Sequence, residues 1–377
     1  MKRFHRTAHG LGFVPAPLAQ LPWQAILLVS GISAFGLVVL FSAAGGSISP
    51  WAKSQGMRFA MFLVGAVALS RVRSTAWEKG ALPTYAIILV MLLLVEALGA
   101  VRGGSQRWLS LGLIRLQPSE LMKPAVVLAL ARFYAMLPAG EVRRFTAIWP
   151  AAMLIGMPAA LVMLQPDLGT ALMISGGGLT VMFLAGLPLR LFIGGALGFA
   201  VLVPLAVNYL LHEYQRNRVL IFMDPESDPL GTGYHISQSK IAIGSGGITG
   251  KGFLNGTQSH LDYLPEGHTD FVFATMAEEW GLLGGCALIF LFLWVIRWGL
   301  GVAGAAPTRF ARLTAAGLST TIFFYVAINL MMVMGLAPVV GIPLPLVSFG
   351  GSAQMTVLLC LGILMAVDRD NRRTAKW

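Results

Sequence analysis

Ten long apolar segments run through this 377-residue chain, and they restrict it to folds that a lipid bilayer can hold. A helix crosses the hydrocarbon core with roughly 20 apolar residues. Charged residues make up only 11% of the chain, whereas soluble domains carry roughly a quarter. The sequence therefore predicts an all-α polytopic membrane protein with about ten transmembrane helices. The predicted segments are 22–43, 57–70, 82–100, 119–137, 146–164, 168–186, 190–211, 271–300, 311–336 and 347–367.

The distribution of lysine and arginine predicts the orientation of these helices. With the N-terminus in the cytoplasm, most of the 27 basic residues fall in cytoplasmic tails and loops, as the positive-inside rule requires. The formal net charge of +11 then reflects orientation, and we predict no nucleic-acid partner. We expect one integral membrane domain, 1–377, with both termini cytoplasmic and with tails at 1–20 and 368–377. The run 22–43 is too long for a signal peptide, so it is predicted to be a retained first helix.

One long connection, residues 212–270, separates the seventh and eighth segments on the predicted extracytoplasmic side. Loops this long in a compact protein are usually functional or disordered. Its glycine-rich stretch, 244–256, does not match the phosphate-loop pattern, because Lys251 is followed by a glycine where that pattern has Ser or Thr. The histidines of this region lack ligand spacing, and we predict no metal site made from them. Charges of both signs concentrate on this side, which indicates either a working surface or a solvated loop surface.

Three carboxylates at the start of the eighth segment would be costly in a membrane. Asp270 allows two interpretations: it is an N-cap of the helix, or it is a general base at the outer surface. At about 100° per residue, Glu278 and Glu279 are rotated by about 80° and 180° from Asp270. They cannot both face the same site. We expect Glu278 nearer the bundle interior, Glu279 against a neighbouring helix, and a mainly structural role for both.

Glu120 and Lys123 are three residues apart at the start of the fourth segment, so they share a helix face. They form either an interfacial ion pair of little energetic value or a pair that tunes another charge. The preceding stretch, 102–120, reads as an outer interfacial segment anchored by Trp108, in which arginines could bind lipid phosphate. The proline-rich stretch 329–352 predicts a broken helix beside a central cavity.

The motifs GSQRWLSLG, QPSELMK, QPDLGT, DPESDPLGTGYHISQSKIAIGSGGITGKG, GTQSHLDYLPEGHTDFVFATMAEEWG and PVVGIPLPLVSFGGS occur in this order. Through these motifs the chain resembles the SEDS proteins (shape, elongation, division and sporulation). Within this family it resembles the members that act in cell elongation. The resemblance implies a peptidoglycan glycosyltransferase of the bacterial inner membrane, with its active site facing the periplasm. Such an enzyme polymerises lipid II, releases undecaprenyl pyrophosphate, and works with a class B penicillin-binding protein, a transpeptidase, in the elongation machinery.

The resemblance also assigns residues. The family's essential acid falls on Asp270, and its Glu and Lys fall on Glu120 and Lys123. Arg107 and Trp108 match the family's Arg-Trp pair, and a basic position of the second helix falls on Arg58. Cations near the departing pyrophosphate would stabilise its negative charge, so we expect several further basic residues to bind the substrate. A divalent cation, magnesium or manganese, is a further candidate for this role. The predicted substrate-binding residues are Arg58, Arg107, Trp108, Arg216, Lys240 and Lys251.

Two other functions suit parts of the sequence. A lipid II flippase would also have about ten helices, a broken helix and intramembrane charge. It would need a polar path through both leaflets, yet the midplane and inner half of the predicted helices show few ionisable residues beyond Glu96, Glu278 and Glu279. A non-catalytic scaffold for the transpeptidase would tolerate replacement of Asp270.

Overall fold

A computed structural model describes residues 21–374, apart from 99, 103–104, 112–113, 210–215, 217–231 and 262. The predicted N-terminal tail, 1–20, lies outside the described residues, as do the last three residues of the C-terminal tail and parts of the predicted 212–270 loop.

Each of the ten apolar segments corresponds to a helix of at least 18 residues. Seven helices in the described part of the chain are long and apolar enough to cross a membrane, so the chain is a multi-pass membrane protein. The count of ten crossings and the cytoplasmic termini stay predictions. The long helices are α1 (Trp23–Ala43), α2 (Trp51–Leu69), α3 (Ser74–Leu98), α4 (Pro118–Met136), α5 (Phe145–Leu164), α6 (Leu168–Ala185), α7 (Leu189–Tyr209), α10 (Val272–Ala305), α11 (Arg309–Val333) and α12 (Gly351–Thr374). Two shorter helices, α8 (Thr232–Gly246) and α9 (Thr257–His260), lie in the long connection.

The helices α4, α11 and α12 form the centre of the bundle, where most of their side chains are buried. Only 28% of the apolar window of α3 and 33% of that of α5 are buried, as expected for a lipid-facing position. Small residues let the central helices approach closely. A Cβ added at Gly317 of α11 would lie 2.6 Å from a methyl carbon of Val127 in α4 and 2.7 Å from one of Val181 in α6.

The all-α prediction is wrong between α3 and α4. There the chain forms a three-stranded antiparallel sheet in the order β1-β2-β3, with Trp108 opposite Ala100 and Leu109 opposite Leu116. The sequence alternates in this region with the two-residue period of a strand, and glycines separate the strands. The sheet pairs backbone groups that an irregular interfacial segment would leave to water. Its strands are β1 (Ala100–Arg102), β2 (Ser105–Leu111) and β3 (Ile114–Leu116).

Helix α10 is interrupted at Gly281, whose φ of 63° and ψ of −164° are not helical. An interruption frees backbone donors and acceptors that must find other partners. The α7–α10 connection, which we call the outer loop after its predicted extracytoplasmic position, supplies them through the backbone of 247–252. The bonds run from the amides of Lys251 and Gly252 to the carbonyls of Glu278 and Glu279, and from the amides of Leu282 and Leu283 to the carbonyls of Gly247 and Ile248, all at 2.9–3.1 Å.

The predicted irregular backbone in 329–352 is confirmed, but it connects α11 to α12 and does not break a single helix. Polar side chains from the surrounding helices hold this connection. Gln55 of α2 donates to the carbonyl of Ser348 at 2.7 Å, and the Ser348 hydroxyl accepts from the amide of Leu344 at 2.8 Å. Irregular backbone is tolerated at this depth because it is enclosed by protein.

Candidate active site

Asp270 lies just before helix α10, which begins at Val272 with Phe271 in the N-cap position. Asp270 therefore stands one residue before the N-cap position that the sequence suggested for it. The half-buried Asp270 side chain lies beside the α11–α12 connection, where a Cβ added at Gly341 would be 3.5 Å from its Oδ2.

Asn329 of α11 fixes the backbone at this position. Its side-chain amide donates to the carbonyl of Asp270 at 2.9 Å and to the carbonyl of Ile342 at 2.7 Å. The side chain is fully buried, so both bonds are shielded from water. Sequence reasoning missed Asn329, although an asparagine inside an apolar helix is a signal of this kind.

Glu120, Lys123 and Tyr325 form a buried polar triad between α4 and α11. The Lys123 ammonium donates to Glu120 Oε1 at 2.6 Å and to the Tyr325 hydroxyl at 2.8 Å. The hydroxyl of Tyr325 in turn donates to the other carboxylate oxygen of Glu120. Removing one member of a buried charged pair costs far more stability than breaking a pair on the surface. The burial of Glu120 and Lys123 therefore excludes the interpretation of an interfacial ion pair of little energetic value. Tyr325 was not predicted, because nothing in the local sequence of α11 marks it as a partner of α4.

The triad and the Asp270 backbone are joined by one face of α11. Tyr325 and Asn329 are four residues apart, which places them about one turn, or about 6 Å, apart along the same side of the helix. A shift of α11 would therefore move both the triad and the support of Asp270.

Arg58 of α2 lies against the same connection. Its guanidinium carbon is 5.1 Å from the centre of the Phe349 ring, in the range of a cation–π contact. The amide of Phe349 donates to the carbonyl of His268 at 2.9 Å, two residues before Asp270. Phe349 thus contacts both the Arg58 guanidinium and the segment that carries Asp270.

His268 stacks on Trp51 of α2, with ring centres 4.0 Å apart and an interplanar angle of 10°. Burial lowers the pKa of His268 below its ordinary value, and the charge of Glu266 opposes this shift. The imidazole is therefore neutral at pH 7, which suits a ring packed face to face on an indole.

Arg107 is engaged by the protein itself. Its guanidinium donates to the carbonyls of Gln165, at 3.0 Å, and Pro166, and lies 3.8 Å from Asp167 Oδ2. Asp167 also caps α6 by accepting from the amide of Thr170 at 3.1 Å. Arg107 therefore fastens strand β2 to the α5–α6 turn, beside half-buried Trp108 in the same strand. Substrate contact by these two residues stays a prediction.

Lys251 is also engaged, because its ammonium lies 2.7 Å from both Glu278 Oε1 and Thr257 Oγ1. The fully buried Glu278 carboxylate accepts further bonds from the amides of 257–259, at 2.8–3.3 Å. Glu278 therefore holds the outer loop at the start of α9.

Glu279 turns to other elements. Its carboxylate accepts from the Ser42 hydroxyl of α1 and lies 3.3 Å from His260 Nε2 of α9. The two adjacent glutamates thus fasten the outer loop from both sides of α10.

The two other predicted cations are exposed. Lys240 of α8 packs its aliphatic stem against Gly335, and Arg216 stands in a stretch whose neighbours lie outside the described residues. Within the described part of the chain, no three His, Cys, Asp or Glu side chains form a group that could hold a metal ion.

A family model described as "Cell cycle protein", named for FtsW, RodA and SpoVE, matches residues 22–373. The chain belongs to the SEDS family. It is 45% identical to the peptidoglycan glycosyltransferase MrdB of Escherichia coli K12, over 93% of this chain and 94% of that protein. It is 35% identical to the stage V sporulation protein E of Bacillus subtilis, over 78% and 80% of the two chains.

Solved structures agree with this family. The chain superposes on one from a peptidoglycan synthase complex that coordinates polymerisation and crosslinking, with a TM-score of 0.81 and 35% identity over 93% of this chain and 98% of that chain. It superposes on the rod shape determining protein RodA of Thermus thermophilus with a TM-score of 0.70 and 29% identity, over 93% and 97% of the chains. The fold is therefore RodA-like.

Proposed function

We propose that this chain is a peptidoglycan glycosyltransferase that polymerises lipid II during cell elongation, at the periplasmic face of the inner membrane. The 4-hydroxyl of the acceptor N-acetylglucosamine attacks the anomeric carbon of the donor N-acetylmuramic acid. The new C–O bond forms as the bond to undecaprenyl pyrophosphate breaks, and the α-linkage inverts to β-1,4. The hydroxyl proton passes to the carboxylate of Asp270, which acts as general base.

The position of Asp270 carries this proposal. The residue lies outside the N-cap of α10, its backbone is held by Asn329, and its side chain stays half-buried beside the α11–α12 connection. A carboxylate on a backbone held in this way supports the role of general base, and general-base catalysis contributes about 10²–10⁴-fold.

The surrounding charges support the same chemistry. The triad of Glu120, Lys123 and Tyr325 holds two opposite charges in fixed positions, one turn of α11 from the residue that supports Asp270. Buried charges of this kind act strongly on their surroundings because the solvent screens them least. Among the predicted cations, Arg58 is the best candidate for the departing pyrophosphate, because Phe349 joins it to the Asp270 segment. A divalent cation stays a prediction, and no step here depends on it.

A transpeptidase partner follows from the relatives. One similar chain comes from a complex that couples polymerisation to crosslinking. We therefore propose that this chain acts with a class B penicillin-binding protein in the elongation machinery.

The decisive experiment is a polymerisation assay with the purified full chain and lipid II, without a membrane gradient. We expect glycan polymer from the wild type and at least about 100-fold less from Asp270→Asn. Glu266→Gln is the matched control, because Glu266 is an exposed carboxylate four residues earlier. Lipid II movement across vesicles without any polymer would favour a flippase. Polymer from Asp270→Asn at the wild-type rate would contradict the base assignment.

A further inference from the structure

A cavity of about 370 Å³ lies at the end of the molecule opposite Asp270. Helix α10 begins beside Asp270 and ends at Ala305, and the cavity lies just beyond that far end. Three parts of the chain meet there: the α2–α3 turn, the α10–α11 turn and the C-terminal end of α12. The lining residues are Arg73, Ser74, Thr75, Pro307, Thr308, Ala311, Val367, Asp370, Asn371, Arg373 and Thr374.

Two arginines of the lining, Arg73 and Arg373, are exposed and have no salt bridge with any acidic residue that the structure describes. Their neighbours are different. Arg369 donates to Asp370 at 3.2 Å, and Arg372 pairs with Asp368 at 2.6 Å. The cavity therefore brings together two guanidinium groups without a carboxylate partner.

The carboxylate in the lining does not neutralise them. One oxygen of Asp370 accepts from the amide of Ser74, at the start of α3, at 2.8 Å. The other accepts from Arg369 at 3.2 Å. Two arginines against this single carboxylate leave the lining with a net formal charge of +1, and Asp370 is itself paired with Arg369.

Asn371 gives a second, independent indication of a ligand. The residue is 8% exposed, and its side-chain amide donates to the carbonyl of Val302 at 2.9 Å. Its Oδ1 is buried and has no hydrogen-bond partner among the residues that the structure describes. An unpaired buried acceptor costs free energy, which a donor on a ligand in the cavity would recover.

We infer that this cavity binds the headgroup of an anionic glycerophospholipid, whose phosphodiester contacts Arg73 and Arg373 while a headgroup hydroxyl donates to Asn371 Oδ1. Arginine binds phosphate through two parallel N–H bonds, and basic pockets between transmembrane helices bind lipid headgroups. The volume lies in the range of small-molecule sites, about 300–1,000 Å³. The apolar residues Pro307, Ala311 and Val367 offer a surface to the glycerol backbone. A bound lipid would join the ends of α3, α11 and α12.

The test uses the purified full chain in neutral detergent, with short-chain phosphatidylglycerol as the probe and the unfolding temperature as the readout. A ligand that binds only the folded state raises this temperature with its concentration. We expect a rise with phosphatidylglycerol and none with phosphatidylcholine. The variant Arg73→Gln/Arg373→Gln should need at least about 10-fold more lipid for the same rise.

Arg190→Gln is the matched control, because Arg190 is an exposed arginine at the head of α7 that does not line the cavity. It should respond to phosphatidylglycerol as the wild type does. An equal loss in this control would indicate diffuse surface charge and would overturn the proposal, as would an unchanged response of the double variant. Before lipid is added, both variants should unfold at the wild-type temperature, since the replaced side chains are exposed.

Glycerol 3-phosphate and an acidic peptide complete the experiment. The first carries the phosphate ester without acyl chains. Weaker binding of glycerol 3-phosphate than of phosphatidylglycerol supports a membrane lipid as the ligand, whereas equal affinity would overturn the lipid assignment. Stabilisation by polyglutamate, with no response to phosphatidylglycerol, would identify an acidic peptide site and would also overturn it.

Discussion

The side-chain amide of Asn329 donates to the backbone carbonyl of Asp270 at 2.9 Å. The second bond of the same amide, to Ile342 at 2.7 Å, ties the α11–α12 connection to the same point. One buried residue of α11 therefore sets the relative position of the proposed base and the backbone beside it. The position of Asp270 relative to the α11–α12 connection therefore depends on an uncharged side chain.

Asn329→Leu should lower polymerisation by about 100-fold, because misplacing a catalytic group by about 1 Å costs that much. It keeps the branched shape of the side chain but leaves the carbonyls of Asp270 and Ile342 without this donor, which costs roughly 1–3 kcal/mol of stability for each. Polymerisation rates and unfolding temperatures measure the two effects. Ser319→Ala is the control on the same helix, because Ser319 bonds only within α11, to Ala315. Similar activity in the two variants would contradict the positioning role of Asn329.

Glu120→Ala and Lys123→Ala should not be additive. Each single change leaves one buried charge without its partner, whereas the double change removes both. We expect the double variant to lose less stability and activity than the sum of the single losses, with a coupling of about 0.5–3 kcal/mol. Unfolding and polymerisation of the four proteins complete the cycle, and strict additivity would show that the two residues act separately.

Tyr325→Phe examines the third member of the triad. It removes the hydroxyl that joins Lys123 to Glu120 but keeps the ring, whose centre lies 4.3 Å from the Lys123 ammonium. We expect a loss of about 1–3 kcal/mol of stability together with reduced polymerisation. The coupling between Glu120 and Lys123 should also change in this background; an unchanged coupling would mean that the hydroxyl contributes nothing to the pair.

Local signals were sufficient for some of these features. The apolar segments predicted the long helices, because a bilayer admits few other structures, and the three-residue spacing predicted the Glu120–Lys123 contact. The prolines of 329–352 predicted irregular backbone. In each case the feature follows from residues close together in the sequence, or from the requirement that a lipid bilayer places on every segment that crosses it.

Contacts between distant parts of the chain were not predictable in this way. Tyr325 lies 202 residues from Lys123, and Asn329 lies 59 residues from Asp270. Arg107 was assigned to substrate by the family resemblance, which gave no indication of its contacts with the carbonyls of the α5–α6 turn. A single sequence carries no information about which helix faces will meet, so these partners needed the fold.

Acidification should destabilise the protein through His268. Because burial lowers its pKa in the folded state, the unfolded chain binds more protons near the ordinary value of 6.5. Stability should therefore fall as the pH drops through 6.5, until the pH passes below the folded pKa. Unfolding temperatures between pH 8 and 5 measure this effect. In His268→Gln the fall in this window should be smaller, and an identical profile would assign it to other groups.

Gly281 gives the clearest case of a residue required by backbone geometry. Its φ of 63° and ψ of −164° fall in a region that is essentially restricted to glycine, and a Cβ there would lie 2.5 Å from the carbonyl oxygen of Ile248. Gly281→Ala should therefore destabilise the protein by at least about 1–3 kcal/mol and loosen the outer loop from α10. Unfolding temperature and the rate of proteolysis within 247–260 report the two effects.

Gly301 of the same helix is the matched control, because a Cβ at this exposed position has no other atom within 4 Å. Gly301→Ala should stabilise the protein by about 0.5–1 kcal/mol, as expected for glycine to alanine in a regular helix. If the two alanine variants shift the unfolding temperature in the same direction, the interruption of α10 is not required for the hydrogen bonds between α10 and the outer loop. Opposite shifts, with faster proteolysis only in Gly281→Ala, would show that the interruption at Gly281 fastens the loop to α10.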